Sequence, residues 1–153
     1  MVAIVPATED DIPWVLELEQ EAISPPWTHG ALLNEIYRDD SFFAVAVDNT
    51  VSLSPCAKKL GFIIMRGMVD CGELLQIAVA KSARRRGVAD LLMSAMLDEA
   101  GKNAINSVFL EVRRSNAAAI ALYKKHGYAL VRQRKDYYTN PVEDAVVMCV
   151  QVQ

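Results

Sequence analysis

Cysteine is scarce in this chain: Cys56, Cys71 and Cys149 are the whole set, and no two form a Cys-x-x-Cys pair. An odd, scattered set excludes a disulfide framework and gives no zinc-ligand spacing, so free thiols in a reducing compartment and no metal are expected. Long apolar runs are missing too, and none approaches the length of a membrane-spanning helix. The opening MVAIVPATEDD has no basic stretch leading into an apolar one, so no secretory leader is expected. Excess charge is small. Sixteen Lys and Arg against 19 Asp and Glu leave a formal net charge of −3, which gives nucleic acid no footing but tolerates a cationic peptide or amine. The expectation is a cytoplasmic protein without nucleic-acid or membrane partners, monomeric or weakly dimeric. Neither repeats nor low-complexity segments appear.

What is present is an ordinary globular composition, 52% hydrophobic and 23% charged over 153 residues, enough for a single domain spanning 1–153 with a proper core. Val2–Val5 reads as a short strand ended by Pro6. Thr8 or Asp11 can cap the helix that follows, with Pro13 in its first turn and Trp14, Val15, Leu18 and Ala22 as its buried face. Thr28 caps a second helix with Leu32, Leu33 and Ile36 inward. Strands are expected at Phe42–Val47, Leu60–Met68 and Glu73–Val79, with Val51–Lys59 a polar hairpin loop. In the second half, Ser107–Val112 is a strand and Ala117–Lys125 a helix stopped at Gly127. Tyr128–Arg134 and Ala145–Val152 are strands joined by a loop, Lys135–Asp144. The order β-α-α-β-β-β-α-β-α-β-β defines a mixed α/β single sheet.

The stretch Leu74–Met93, LLQIAVAKSARRRGVADLLM, organises the rest. An apolar strand runs into a basic loop, and Gly87 opens a helix whose Val88, Leu91, Leu92, Ala95 and Met96 fall on one face. The first N–H groups of such a helix lack partners, the helix dipole adds positive potential, and Gly87 lets an anion approach. Arg84, Arg85 and Arg86 supply countercharge for a phosphate, or else form a solvated basic loop. Neither a Walker loop nor a Gly-x-Gly-x-x-Gly turn is present.

The pattern Arg84-x-x-Gly87-x-Ala89 after an apolar strand resembles motif A of the GNAT acetyltransferases, Gln/Arg-x-x-Gly-x-Gly/Ala. Downstream, FLEVRRSNAAAIALYKKHGY, residues 109–128, resembles the motif B region in the wording used by N-terminal α-amine acetyltransferases. The tail RKDYYTNPVEDAVVM, residues 134–148, and the early Pro26-Trp27-Thr28 are similar to signatures of the bacterial ribosomal-protein-alanine N-acetyltransferases. Matching motifs run from residue 26 to 148 with a gap over Asp48–Cys71. Two departures stand out: Ala80-Lys81 where those enzymes commonly carry Asp-Pro, and Ala89 for the second motif glycine.

The resemblance implies a mostly antiparallel seven-stranded sheet flanked by about four helices, with CoA at a splayed pair formed by the fourth and fifth strands. It implies acetyl-CoA as co-substrate and a protein N-terminus as acceptor, the N-terminal alanine of ribosomal protein S18 above all. Other N-termini, lysine, a small amine, or a non-catalytic acyl-CoA-binding role are the alternatives. The backbone of Ile77, Ala78 and Val79 is expected along the pantetheine arm. Arg84, Arg85, Arg86, Gly87, Val88, Ala89 and Asp90 are expected at the pyrophosphate, mainly through N–H groups, with the Asp90 side chain turned away. Asn116 is expected either to bond CoA or to cap its helix.

An α-amine with pKa about 7.7–8.0 is mostly protonated at neutral pH, so a base must free it, and an acid must quench the departing thiolate. Glu111 lies inside an apolar strand, where an ionisable group costs free energy without a task or a partner. It is either a structural carboxylate paired with Arg113 or another cation, or, as the resemblance implies, the general base. Tyr123 is either helix–sheet packing or the implied general acid, an ordinary phenol near pKa 10 matching a thiolate at little cost. Trp27 is a packing plug or a substrate-facing ring. Tyr137 and Tyr138 are a surface turn or contacts to the acceptor peptide. Cys71 and Cys149 read as buried apolar fillers, so direct attack on the thioester is preferred over a cysteine relay.

Overall fold

Local chemistry sets the helix starts. Thr28 Oγ1 accepts the Ala31 N–H at 3.1 Å and opens α2 (His29–Tyr37), while Asp11 stands at the start of α1 (Ile12–Ala22) with Pro13 in its first turn. Asp11 also accepts the Thr8 N–H at 2.8 Å and pairs with Lys59 Nζ at 2.9 Å, fixing the entry to α1. Gly87 at φ 75° opens α3 (Val88–Lys102), and Asn116 Oδ1, accepting from Ala119 N at 3.1 Å, opens α4 (Ala117–Lys125). These are the described helices of a computed structural model that covers residues 1–23, 26–50 and 57–152.

The strands are β1 (Val2–Pro6), β2 (Ser41–Asp48), β3 (Lys58–Gly67), β4 (Cys71–Val79), β5 (Ser107–Arg113), β6 (Ala129–Tyr138) and β7 (Glu143–Gln151). They form one seven-stranded sheet in the order β1-β2-β3-β4-β5-β7-β6, antiparallel throughout except for β4 and β5. This is the mixed sheet with four helices that the resemblance implies. On one face, α3 and α4 bury Leu92, Met96 and Tyr123 against Ile63, Leu74, Leu110 and Met148. On the other, α1 and α2 cover only the β1–β4 half, packing Ile12, Val15, Leu18 and Leu32 on Val45, Phe62 and Ile64.

Two irregularities shape the middle of the sheet. The β3–β4 register runs Ile64↔Gln76 and then Met65↔Leu74, so Leu75 is an extra residue, a β-bulge that bends β4. The parallel β4–β5 ladder then holds for only three rungs, Cys71↔Ser107, Gly72↔Val108 and Glu73↔Phe109. Beyond Glu73 the two strands part.

Several expectations need correcting. The hairpin loop expected over Val51–Lys59 lies partly outside the described residues, but Lys58 and Lys59 already belong to β3. The segment expected as a loop, Lys135–Asp144, is largely strand: β6 continues to Tyr138 and β7 starts at Glu143, leaving a short turn. β6 is an edge strand, exposed over most of its length, so its sequence carries no alternation to reveal it. On α3 Leu91 is 44% exposed and Met93 is buried in its place. On α1 Trp14 is half-buried, Ala22 is exposed, and Glu19 is fully buried. Cys71 and Cys149 are free thiols, but only half-buried.

Candidate active site

In an extended strand the N–H and C=O of one residue point to the same edge, and neighbours alternate. Ala80 N donates to Leu60 O at 2.8 Å, so Ala80 and, two residues back, Ala78 turn their peptide groups toward β3. Ile77 and Val79 turn theirs to the opposite edge, where β5 has already left the ladder. The splay therefore exposes a short run of backbone donors and acceptors in the middle of a sheet. Of the three residues expected there, Ala78 is the one whose peptide faces the other way.

The opening leads to the start of α3. The first bond of that helix is Leu91 N to Gly87 O at 3.1 Å, so the N–H groups of Val88, Ala89 and Asp90 stand outside its ladder. A Cβ at Gly87 would meet nothing within 4 Å, which leaves its surface open. Arg85 sits at φ 64°, a left-handed conformation that costs a non-glycine residue about 1 kcal/mol or more. Arg84 and Arg85 are exposed and, among the described residues, make no ion pair. Arg86 differs: its guanidinium reaches Asp48 at 3.3 Å, away from the helix start. Asp48, hydrogen-bonded by Thr50 and then facing Arg86 and the amino terminus, is held down to about 2. The Asp90 side chain turns to α4, meeting Lys125 Nζ at 3.0 Å and His126 Nε2 at 2.9 Å, and the His126 hydrogen bond foremost lowers its carboxyl. Its backbone N–H is left facing the loop. Uncommitted N–H groups, an open glycine and two arginines fit the pyrophosphate of a nucleotide-type ligand.

A second cluster lies on the sheet face that α1 and α2 leave uncovered beyond β4. Glu111 accepts from Arg134 Nη1 at 2.8 Å, and the Arg134 guanidinium lies 4.2 Å over the Tyr137 ring. Tyr137 and Tyr138 meet edge to face at 5.1 Å. Hydrogen bonding to Glu111, then burial, pushes the Tyr137 phenol up, while burial and the nearby Glu111 push Tyr138 up to about 12. Arg113, the cation expected beside Glu111, instead lies over Tyr138 and binds Glu143, Thr139 O and Pro141 O. Glu143 in turn accepts the Ser115 N–H at 2.7 Å, so this brace ties the β6–β7 turn to the start of α4. Tyr123 is buried on the other face, 5.8 Å from Tyr128, and burial pushes its phenol up to about 12. The Asn116 side chain is occupied as a helix cap. Trp27 packs half-buried with the α1–α2 cluster.

Reading the residues one at a time missed Arg134, Glu143, Glu73 and the buried pair Glu19 and Gln76. Arg134 and Glu143 sit inside the tail signature, which was a signal without an assigned role. Glu73 reads as an ordinary strand residue, yet its carboxyl is half-buried and pushed up by burial and by Glu111 across the splay. Glu19, which burial also pushes up, sits on α1 beside Gln76 and the Trp27 backbone, and nothing in a helical period marks it.

A splayed parallel pair, a basic turn into a helix and a carboxylate–tyrosine cluster on the far face together define an acetyl-transfer scaffold. The chain belongs to the acetyltransferase (GNAT) family, whose model matches residues 11–128. Within it, the [ribosomal protein bS18]-alanine N-acetyltransferase of Escherichia coli is 32% identical over 145 residues, covering 93% of this chain and 92% of that protein. The crystal structure of the Escherichia coli ribosomal-protein-S18-alanine N-acetyltransferase superposes with a TM-score of 0.87 at 30% identity, over 100% of this chain and 95% of that one. Ard1 from Thermoplasma volcanium superposes at 0.86 with 27% identity, covering 99% and 98% of the two chains.

Proposed function

We propose that this protein transfers the acetyl group of acetyl-CoA to the α-amine of a protein N-terminus, with the N-terminal alanine of ribosomal protein S18 as acceptor. The observation that carries the reading is the splay itself. It places an unpaired backbone edge beside the α3 start and, through the sheet, next to Glu111. Acetyl-CoA supplies an activated carbonyl in its thioester. Ile77 and Val79 would hold the pantetheine arm as a strand holds its neighbour, and the Val79 N–H would face the thioester oxygen. The N–H groups from Gly87 to Asp90, with Arg84 and Arg85, would hold the pyrophosphate.

Glu111 takes the proton that keeps the α-amine from attacking. Arg134 holds one of its oxygens, which fixes the carboxylate on the open face. Tyr123 faces the leaving sulfur from the helical side. Its burial changes the expected balance: a phenol near 12 giving its proton outright to a thiolate near 8.5 runs uphill by about 5 kcal/mol. Tyr123 is therefore a hydrogen-bond donor to the sulfur, handing over its proton as another arrives from the acylated nitrogen. Tyr137, Tyr138 and, from the α1–α2 side, Trp27 would wall the acceptor peptide.

The test is steady-state acetyl transfer to a hexapeptide with the S18 N-terminus, alongside an N-terminally blocked twin that contains an internal lysine. Turnover on the free α-amine alone supports the reading, and equal turnover on the blocked peptide replaces it with lysine acetylation. Tight acetyl-CoA binding with no turnover on any amine would leave a binding module.

A further inference from the structure

Residues paired in register share a face of the sheet, so Arg66, Glu73 and Phe109 stand on one face, and Glu111 stands there with Arg134. This face carries three carboxylates near the narrow end of the splay: Glu35 from α2, Glu73 from β4 and Glu111 from β5. Two guanidiniums stand against these carboxylates, and both are taken. Arg66, directly across from Glu73, gives its guanidinium to the fully buried Glu35. Arg134 binds Glu111. Glu73 is left as the one carboxylate of the group without an ion pair among the described residues. It is half-buried, it faces the charge of Glu111, which outweighs that of Arg66, and Tyr137 on β6 lies within reach of both carboxylates. A partly desolvated, unpaired negative charge is costly, and a cation arriving from outside relieves the cost.

We propose that Glu73 is the docking residue for the ammonium group of the acceptor, the charge that selects a free, cationic N-terminus before Glu111 acts on it. This rests on the N-terminal acetyltransferase reading for the identity of the cation, not for its existence. The division of labour follows from the pairing. Glu111, anchored by Arg134, keeps a fixed geometry suited to proton removal. Glu73, unanchored, supplies net attraction and sits where the two strands first part, so the ammonium is drawn to the narrow end of the opening.

The experiment measures peptide binding by calorimetry in the presence of CoA, using the S18-type hexapeptide and the same peptide N-formylated, which removes the charge. Wild type is expected to prefer the free amine by about tenfold to a hundredfold, the range of a charge-assisted contact. Glu73→Gln erases that preference and raises KM by a similar factor with kcat within about twofold. Glu73→Asp keeps part of the preference, and Glu111→Gln keeps it while losing kcat. Melting curves confirm that the variants fold. Equal binding of the two peptides by wild type overturns the assignment. So does a preference that survives Glu73→Gln, or a fall in kcat with KM unchanged. Amine-selective binding without turnover would sink the acetyl-transfer reading and leave the docking role of Glu73 standing.

Discussion

The two sides of the splay are built from different materials. The α3 side is backbone: the free edges of Ile77 and Val79 and the first N–H groups of α3, with side chains such as those of Asp90 and Arg86 turned to other partners. The open face is side chain: Glu111, Arg134, Tyr137 and Tyr138, each held by its neighbours, with Glu73 unanchored beside them. A backbone surface recognises whatever fits its spacing and survives changes in side chains. A side-chain surface is specific and fragile. A common donor and a particular acceptor call for this asymmetry.

Substitutions should separate the two sides. Glu111→Gln is the largest expected effect, a loss of roughly 10²–10⁴ in kcat with the acetyl-CoA dissociation constant unchanged by calorimetry. Tyr123→Phe keeps the buried ring and the melting temperature. It is expected to lower kcat by about a hundredfold, and stopped-flow detection of free thiol should show slow release. Gly87→Val places a β-branched residue at φ 75°, costing roughly 1–2 kcal/mol. Donor affinity should fall about tenfold with peptide KM unmoved, and a matching rise in peptide KM would mean the two sides are not separable. Arg134→Met removes the cation that holds one oxygen of Glu111 and so loosens the carboxylate's orientation. Steady-state kinetics should show kcat falling several-fold, with donor affinity unmoved. Arg85→Gly is the smallest: relief of a left-handed conformation should raise stability by up to about 1 kcal/mol. Donor affinity should stay within about threefold, because the N–H group remains.

Much of the α3 side was legible in the sequence because its determinants are consecutive. An apolar strand, Arg84, Gly87 and a helical period lie in one window, and local physics connects them. The open face resisted because it depends on pairing order. That Arg66 would go to Glu35 and Arg134 to Glu111, leaving Glu73 over, is a matter of register across β3, β4, β5, β7 and β6. No run of neighbours encodes it. β6 was cut short for another reason: an exposed edge strand has no buried face, so Lys135–Tyr138 reads as a loop. The acidity of Tyr123 also lay beyond sequence, since only its burial takes it from an ordinary phenol to one near 12.

The extra residue in β4 carries a consequence beyond the bend. Strand side chains obey a parity rule, and one inserted residue reverses it for everything on its far side. Gln76 faces α1 and α2. With strict alternation Glu73, three residues earlier, would face α3 and be buried in that core. The step at Leu75 flips the parity, so Glu73 emerges on the same face as Gln76, opposite Arg66 and beside Phe109. Deleting Leu75 would therefore straighten the strand yet leave Glu73 on its present face, whereas pairing Leu75 regularly would turn that charge inward and present Leu74 in its place.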